Sequence, residues 1–328
     1  MYKAKPERYA DMKYISCGKS GLKLPAVSLG LWHTYGEATP YATARELTLR
    51  SFDAGITHFD IANNYGPPPG SAETTFGKIL KDDLMPYRDE LIIASKAGYR
   101  MWDGPYGDMG SRKYIIASAD QSLKRCGLEY FDIFYHHRPD SQTPIEETID
   151  ALKHLVDRGK ALYAGISNYN AEQTKAALEA AKAVGLKILI HQVNYSMFNR
   201  GAEADLFRVL DEYGVGAIAY SPLAQGQLSD KYFNGIPVNS RAGGVSHFLN
   251  PDAVTPEKVE KAKKLNVIAG RRGQTLSQMA LAWVMRNNCV ASVLAGASNF
   301  GQMDENAGFI QNLEFDAGEL AEIEAILL

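Results

Sequence analysis

Cysteine is scarce in this chain. There are three in 328 residues, Cys17, Cys126 and Cys289. The number is odd and no pair has metal-ligand spacing, which argues against a disulfide framework or a cysteine metal site and leaves ordinary reduced thiols, with no metal expected. Long apolar runs are also missing: the longest, such as Leu91 to Ala94 and Lys187 to Ile190, are far too short to span a bilayer. No charge of one sign dominates. The 35 basic and 38 acidic residues give a net charge of −3, spread without long runs, so the basic face of a nucleic-acid protein is not expected. Met1 to Asp11 is polar and charged, without a signal-peptide apolar core, and a cytoplasmic protein with neither membrane nor nucleic-acid partners is expected. No low-complexity segment, linker or short repeat divides the chain, so a single domain over 1–328 is expected.

What is present is an alternation of two patterns. After a candidate β-hairpin over Met12–Leu24, turning at Gly18-Lys19-Ser20-Gly21, short β-rich apolar runs read as strands. They are Ala26–Leu31, His58–Asp60, Leu91–Ser95, Ile133–Tyr135, Tyr163–Ile166, Ile188–Val193, Gly216–Tyr220 and Ala291–Leu294. Amphipathic stretches lie between them: one from Ser111 or Lys113 to Cys126, one opened by Thr143-Pro144, and one over Ala171–Val184 capped by Asn170 and stopped at Gly185. Runs that are continuously apolar rather than alternating belong to strands buried on both faces. Eight strand–helix units in this length therefore predict an α/β fold, a closed parallel (β/α)8 TIM barrel, with an N-terminal hairpin and an extra C-terminal helix. A doubly wound open sheet would want a Gly-x-Gly-x-x-Gly turn after its first strand, and Ser28-Leu29-Gly30-Leu31-Trp32 does not supply one. Three long loops, Asn63–Gly70, Gly98–Ser111 and Leu223–Pro256, fall over the C-terminal mouth, where functional barrels keep their chemistry.

Charged and polar residues cluster at adjacent strand ends. Asp60 closes the second strand, with Tyr65 five positions on; Lys96 ends the third, and His136 and His137 end the fourth. A charge in a barrel mouth is costly unless paired, which an Asp60–Lys96 ion pair would solve. A lysine beside a phenol would then be expected to lower its pKa and make Tyr65 an acid. Neighbouring strand residues point to opposite sides, so one of His136 and His137 faces the site.

On these residues the chain resembles the aldo-keto reductase superfamily over essentially its whole length, and the branch that holds the potassium-channel β-subunits in particular. The resemblance implies that Asp60, Tyr65, Lys96 and His137 form a carbonyl-reducing tetrad, with His137, just before Arg138-Pro139-Asp140, as its histidine. The usual Asp-Thr-Ala is Asp60-Ile61-Ala62 here. It implies NADPH (NADP+) as cofactor: Ser167, Asn168 and Gln192 on the carboxamide, Tyr220 stacked on the nicotinamide, and Ser221, Leu223 and Gly226 in the loop over the pyrophosphate. Lys231 and Arg241 would meet the adenosine phosphate. After Gly296, Ser298 and Gln302 would lie at the 2′-phosphate, with Glu305 and Asn306 on adenine. An arginine common near the place of Gln302 is absent.

Trp32, Tyr65 and Trp102 suggest an aromatic-walled pocket for a small aldehyde, Trp32 bordering cofactor and substrate alike, and Arg100 and Arg138 could meet an anionic one. The stretches Asn63–Glu73 and Lys96–Trp102 resemble bacterial reductases acting on L-glyceraldehyde 3-phosphate, which implies triose phosphates, methylglyoxal and other short aldehydes as substrates and a homo-oligomer, tetramer or octamer. Two rival readings follow from the same residues: a nicotinamide-binding regulatory or redox-sensing module like the channel β-subunits, which carry asparagine where this chain has His137, and an aldolase-type barrel with Lys96 as Schiff-base nucleophile.

Overall fold

Eight parallel strands close into a barrel in the computed structural model, which describes residues 2–244 and 249–328. An antiparallel hairpin, β1 (Tyr14–Ser16) and β2 (Lys23–Pro25), precedes it. The barrel strands are β3 (Val27–Gly30), β4 (His58–Asp60), β5 (Ile92–Ala97), β6 (Phe131–His136), β7 (Ala161–Ser167), β8 (Ile188–Asn194), β9 (Gly216–Tyr220) and β10 (Val290–Ala295). They pair in chain order, and β10 closes on β3 through Val293 opposite Val27. Helices α1 (Tyr41–Asp53), α2 (Ser71–Ile79), α3 (Arg112–Cys126), α4 (Ile145–Asp157), α5 (Ala171–Ala183), α6 (Leu206–Tyr213), α7 (Pro256–Arg271), α8 (Leu276–Met285) and α9 (Phe300–Ala307) follow the strands, and α10 (Ala317–Leu327) comes last.

The caps explain several helix starts. Ser111 accepts from the Tyr114 N–H, and Asn170 forms a reciprocal capping box with Gln173. The fold expected from the apolar runs is the fold observed; β6, β7, β8 and β10 run one or two residues beyond the expected ends, β5 is shifted toward its C-terminal end, and β3 is shorter by one residue at each end. A one-turn π-helix at 80–84 and a 3₁₀ stretch at 85–90, between α2 and β5, had no counterpart in the sequence reading. Of the Leu223–Pro256 loop, residues 245–248 lie outside those described. Among the described residues no helix is long and apolar enough to cross a membrane, and no cluster could hold a metal ion.

The hairpin stops the N-terminal mouth. Cys17 is fully buried among the interior residues Ile133, Ile190 and Ile218, and Lys19 N–H donates to Gly214 O at 2.8 Å. Above it, Tyr135 fills the barrel axis. A Cβ on Gly165 would stand 2.5 Å from the Tyr135 ring, so only glycine fits there on the neighbouring strand. The interior is not wholly apolar: Ser28 and Ser292 share a 2.6 Å hydrogen bond and His58 Nδ1 lies 2.9 Å from Ser28 Oγ.

Burial drives His58 down to about 3, and His136 and His191 to about 4. An unfolded histidine titrates near 6.5, so below that pH the unfolded chain binds protons that the folded chain refuses. Stability is therefore full above about pH 6.5 and falls as pH drops toward 4, by at most about 1.4 kcal/mol per pH unit for each such histidine. The urea midpoint should drop clearly between pH 7 and pH 5; a flat midpoint over that range refutes the account.

Candidate active site

Asp60 is the last residue of β4, and its Cα partner on β5 is Ala94, two residues before Lys96. Period-two alternation thus sends Asp60 and Lys96 to the same inner face, one step apart along the barrel. Lys96, fully buried, donates from Nζ to Asp60 Oδ2 at 2.6 Å and to Ile61 O at 2.7 Å. Its third contact is Tyr65 Oη at 3.4 Å. The other Asp60 oxygen accepts from Gln192 Nε2 at 3.1 Å, across the barrel. Burial raises the Asp60 carboxyl and lowers the Lys96 ammonium, while their mutual attraction opposes both shifts.

Tyr65 sits just past β4 in a tight loop. A Cβ on Gly36 would lie 2.6 Å from Pro67 O, so the segment after the tyrosine packs directly on the loop after β3. Burial first, then the Asp60 charge, holds the Tyr65 phenol well above its usual value. The expectation that Lys96 lowers it is corrected in this state: the ammonium spends its short bonds on Asp60 and Ile61 and stands further from the phenol. The phenol therefore carries its proton at neutral pH.

His137 follows β6 directly, and its N–H donates to Ala97 O at 2.9 Å. Its ring meets Tyr65 edge-on at 5.8 Å, which makes it the histidine of the pair that faces the site. Burial, and then the Lys96 charge, holds the imidazole well below its usual value, so it is neutral. His136 points the other way and bonds Tyr169 Oη at 2.6 Å. Trp32 borders Tyr65 with ring centroids 6.3 Å apart, and Trp102 packs on Tyr114 at 5.3 Å. The two arginines of this wall are engaged: Arg100, exposed, pairs with Asp103, and Arg138 pairs with Asp108 at 3.0 Å. Tyr99, which lies in the Lys96–Trp102 stretch but was given no role from the sequence, stands against His137 at 4.7 Å.

The opposite rim collects the polar groups expected to hold a dinucleotide. Ser167 Oγ donates to Gln192 O, and Asn168, at the end of β7 with φ 64°, donates from Nδ2 to His137 O at 3.0 Å. Tyr220, ending β9, donates to Asn168 Oδ1 at 2.6 Å. Beyond it Ser221, Ala224 and Gln225 all adopt positive φ (51°, 47° and 60°), an unusual run for non-glycine residues that turns Leu223 and Gly226 around a concave backbone. Arg241 Nη2 lies 3.7 Å from the place of a Cβ on Gly296, at the C-terminal end of β10. The guanidinium is open in area yet walled by protein that lowers its pKa through desolvation, and it has no carboxylate partner among the described residues. Ser298 N–H and Oγ both turn to Gln302 Oε1, at 3.0 and 3.2 Å, at the start of α9. Glu305 is exposed on that helix and Lys231 is exposed in the loop. Asn306 is buried with its Nδ2 unpartnered, a donor waiting for an acceptor. A guanidinium with no carboxylate partner among the described residues, a loop of residues in positive φ and a buried amide without a partner fit an elongated anionic nucleotide across this rim.

Residues 26–328 match the Aldo/keto reductase family. The chain belongs to that family. Two proteins named L-glyceraldehyde 3-phosphate reductase, from Escherichia coli K12 and from Escherichia coli O157:H7, are each 52% identical to this aldo/keto reductase over 325 residues, 98% of this chain and 94% of theirs. Among solved structures, a holo-form aldo-keto reductase from Bacillus halodurans superposes with a TM-score of 0.78 at 27% identity, covering 96% of both chains.

Proposed function

We propose that this aldo/keto reductase reduces short aldehydes to alcohols with NADPH, and that Tyr65 is the proton donor. The observation that carries the reading is the half-buried, proton-bearing Tyr65 phenol set 3.4 Å from a lysine that Asp60 anchors. A bound nicotinamide supplies the hydride to the carbonyl carbon. The protein's part is to receive the negative charge that grows on the carbonyl oxygen. Tyr65 gives its proton to that oxygen, and the neutral His137 ring, edge-on to the phenol, donates a second hydrogen bond. Lys96 lies near enough to the phenol oxygen to stabilise the phenolate left behind. Burial, and then the Asp60 charge, keeps the proton on the resting phenol. Trp32 and His137 flank the phenol ring, at 6.3 and 5.8 Å between ring centroids.

Ser167, Asn168 and Gln192 would hold the carboxamide and Tyr220 the ring, which requires the Tyr220–Asn168 hydrogen bond to yield. Arg241, with Lys231 and Ser298, favours NADPH over NADH. Arg241→Ala should weaken NADPH binding at least about ten-fold, as loss of a charge-assisted phosphate contact does, and NADH binding much less. Fluorescence titration with both cofactors measures this; equal weakening refutes a phosphate role.

The names of the Escherichia coli relatives direct the substrate reading to L-glyceraldehyde 3-phosphate, with methylglyoxal and other short aldehydes as further candidates. A substrate phosphate would have to compete with Asp103 and Asp108 for Arg100 and Arg138. A tetramer or octamer belongs to the same reading, and light scattering tests it. The decisive experiment is NADPH oxidation with L-glyceraldehyde 3-phosphate, glyceraldehyde and methylglyoxal, repeated with NADH. Tight NADPH binding with no turnover of any of them would overturn the reductase in favour of a nicotinamide-binding module.

A further inference from the structure

Tyr99 follows β5 by two residues and is clamped on three sides. Its ring meets His137 at 4.7 Å and 87°, edge to face. The Arg138 guanidinium covers the ring at 4.4 Å from its centroid, and is itself fixed by Gly98 O at 2.8 Å and Asp108 at 3.0 Å. Its carbonyl accepts the Tyr114 hydroxyl. The backbone has little slack either, since a Cβ on the preceding Gly98 would stand 3.0 Å from His137 Cβ. Yet the ring is only half-buried, and its hydroxyl has no partner among the described residues. The ring stands at the site itself, against the same His137 that meets Tyr65 edge-on at 5.8 Å.

A rigid ring ending in a free donor–acceptor, held against the histidine that meets the carbonyl oxygen, is a device for reading the carbons beyond the carbonyl. We propose that Tyr99 is a specificity-determining residue whose hydroxyl hydrogen-bonds a hydroxyl one or two carbons from the reacting carbonyl. The site thereby selects short hydroxyaldehydes over apolar aldehydes of the same length. Arg100 and Arg138 on this wall are held by aspartates, so of these three residues Tyr99 is the one whose polar group has no partner among the described residues. The inference rests on the reductase reading above.

The test is cofactor oxidation by the full chain with glyceraldehyde and with propanal, in the wild type and in Tyr99→Phe, which keeps the ring on His137. The wild type should prefer glyceraldehyde. Tyr99→Phe should lower kcat/KM for glyceraldehyde about ten-fold, the scale of one hydrogen bond, mainly through KM, while propanal changes less than about two-fold. An equal fall in kcat for both aldehydes would mean that Tyr99 acts only by bracing His137, and overturns the proposal. So does an unchanged ratio, or a wild type without preference. A wild type that oxidises cofactor with neither aldehyde shows instead that the reductase reading has failed, and the proposal falls with it.

Discussion

Tyr65→Phe should bind NADPH as tightly as the wild type and reduce aldehydes about 10²–10⁴-fold more slowly, the range that a positioned general acid contributes. The substitution keeps the ring beside Trp32 and His137 and removes one hydroxyl, whose one hydrogen bond among the described residues is the long one from Lys96 at 3.4 Å. Only that long bond is lost, so stability should change little. The loss should fall on kcat with KM nearly unchanged, because the proton is given in the transition state rather than in the ground state. The pH dependence has a definite sign. The acid must hold its proton, so reduction should stay level through neutral pH and fall only as pH rises past the phenol's raised value, while the reverse oxidation of alcohol should rise there. Full activity in Tyr65→Phe would exclude this mechanism, and borohydride trapping of a substrate on Lys96 would then identify the Schiff-base alternative.

The barrel was legible because strands buried on both faces must be apolar throughout, and eight such runs have no better architecture at this length. Two of the errors at strand ends share a cause. Lys96 and Asp132 are polar and so read as strand limits, yet β5 and β6 run through them because partners, Asp60 for the lysine and Arg88 at 2.9 Å for the aspartate, make the charge tolerable inside. Asp60, Lys96 and His137 were visible in the sequence as polar groups at the ends of apolar runs. Tyr99 gave no such signal, since an aromatic in a loop is common and its meaning lies in the 4.7 Å approach to His137. The same holds for the arginines: Arg100 and Arg138 read as free cations until Asp103 and Asp108 are placed against them. Ser28 and Ser292 are 264 residues apart, and no local pattern could have joined them.

Asp60→Asn should destabilise the fold by about 3–5 kcal/mol, because it leaves the fully buried Lys96 ammonium without its counter-ion. Lys96→Met should also destabilise, though the carboxyl it strands can take up a proton and still accept from Gln192. The double variant Asp60→Asn/Lys96→Met should cost less than the sum of the two, since it removes both charges and returns the site to a neutral interior. All three should lose aldehyde reduction about 10²-fold or more, as removal of a partner in acid–base catalysis does. Urea denaturation and single-turnover reduction measure the two outcomes separately. A double variant as unstable as the summed singles would mean that the pair is not coupled and that each residue is held by other contacts. If the double variant is more stable than Asp60→Asn and still inactive, stability and chemistry have come apart. In that outcome the buried ion pair is one that the fold can do without and the reaction cannot, which is what a role through Tyr65 requires.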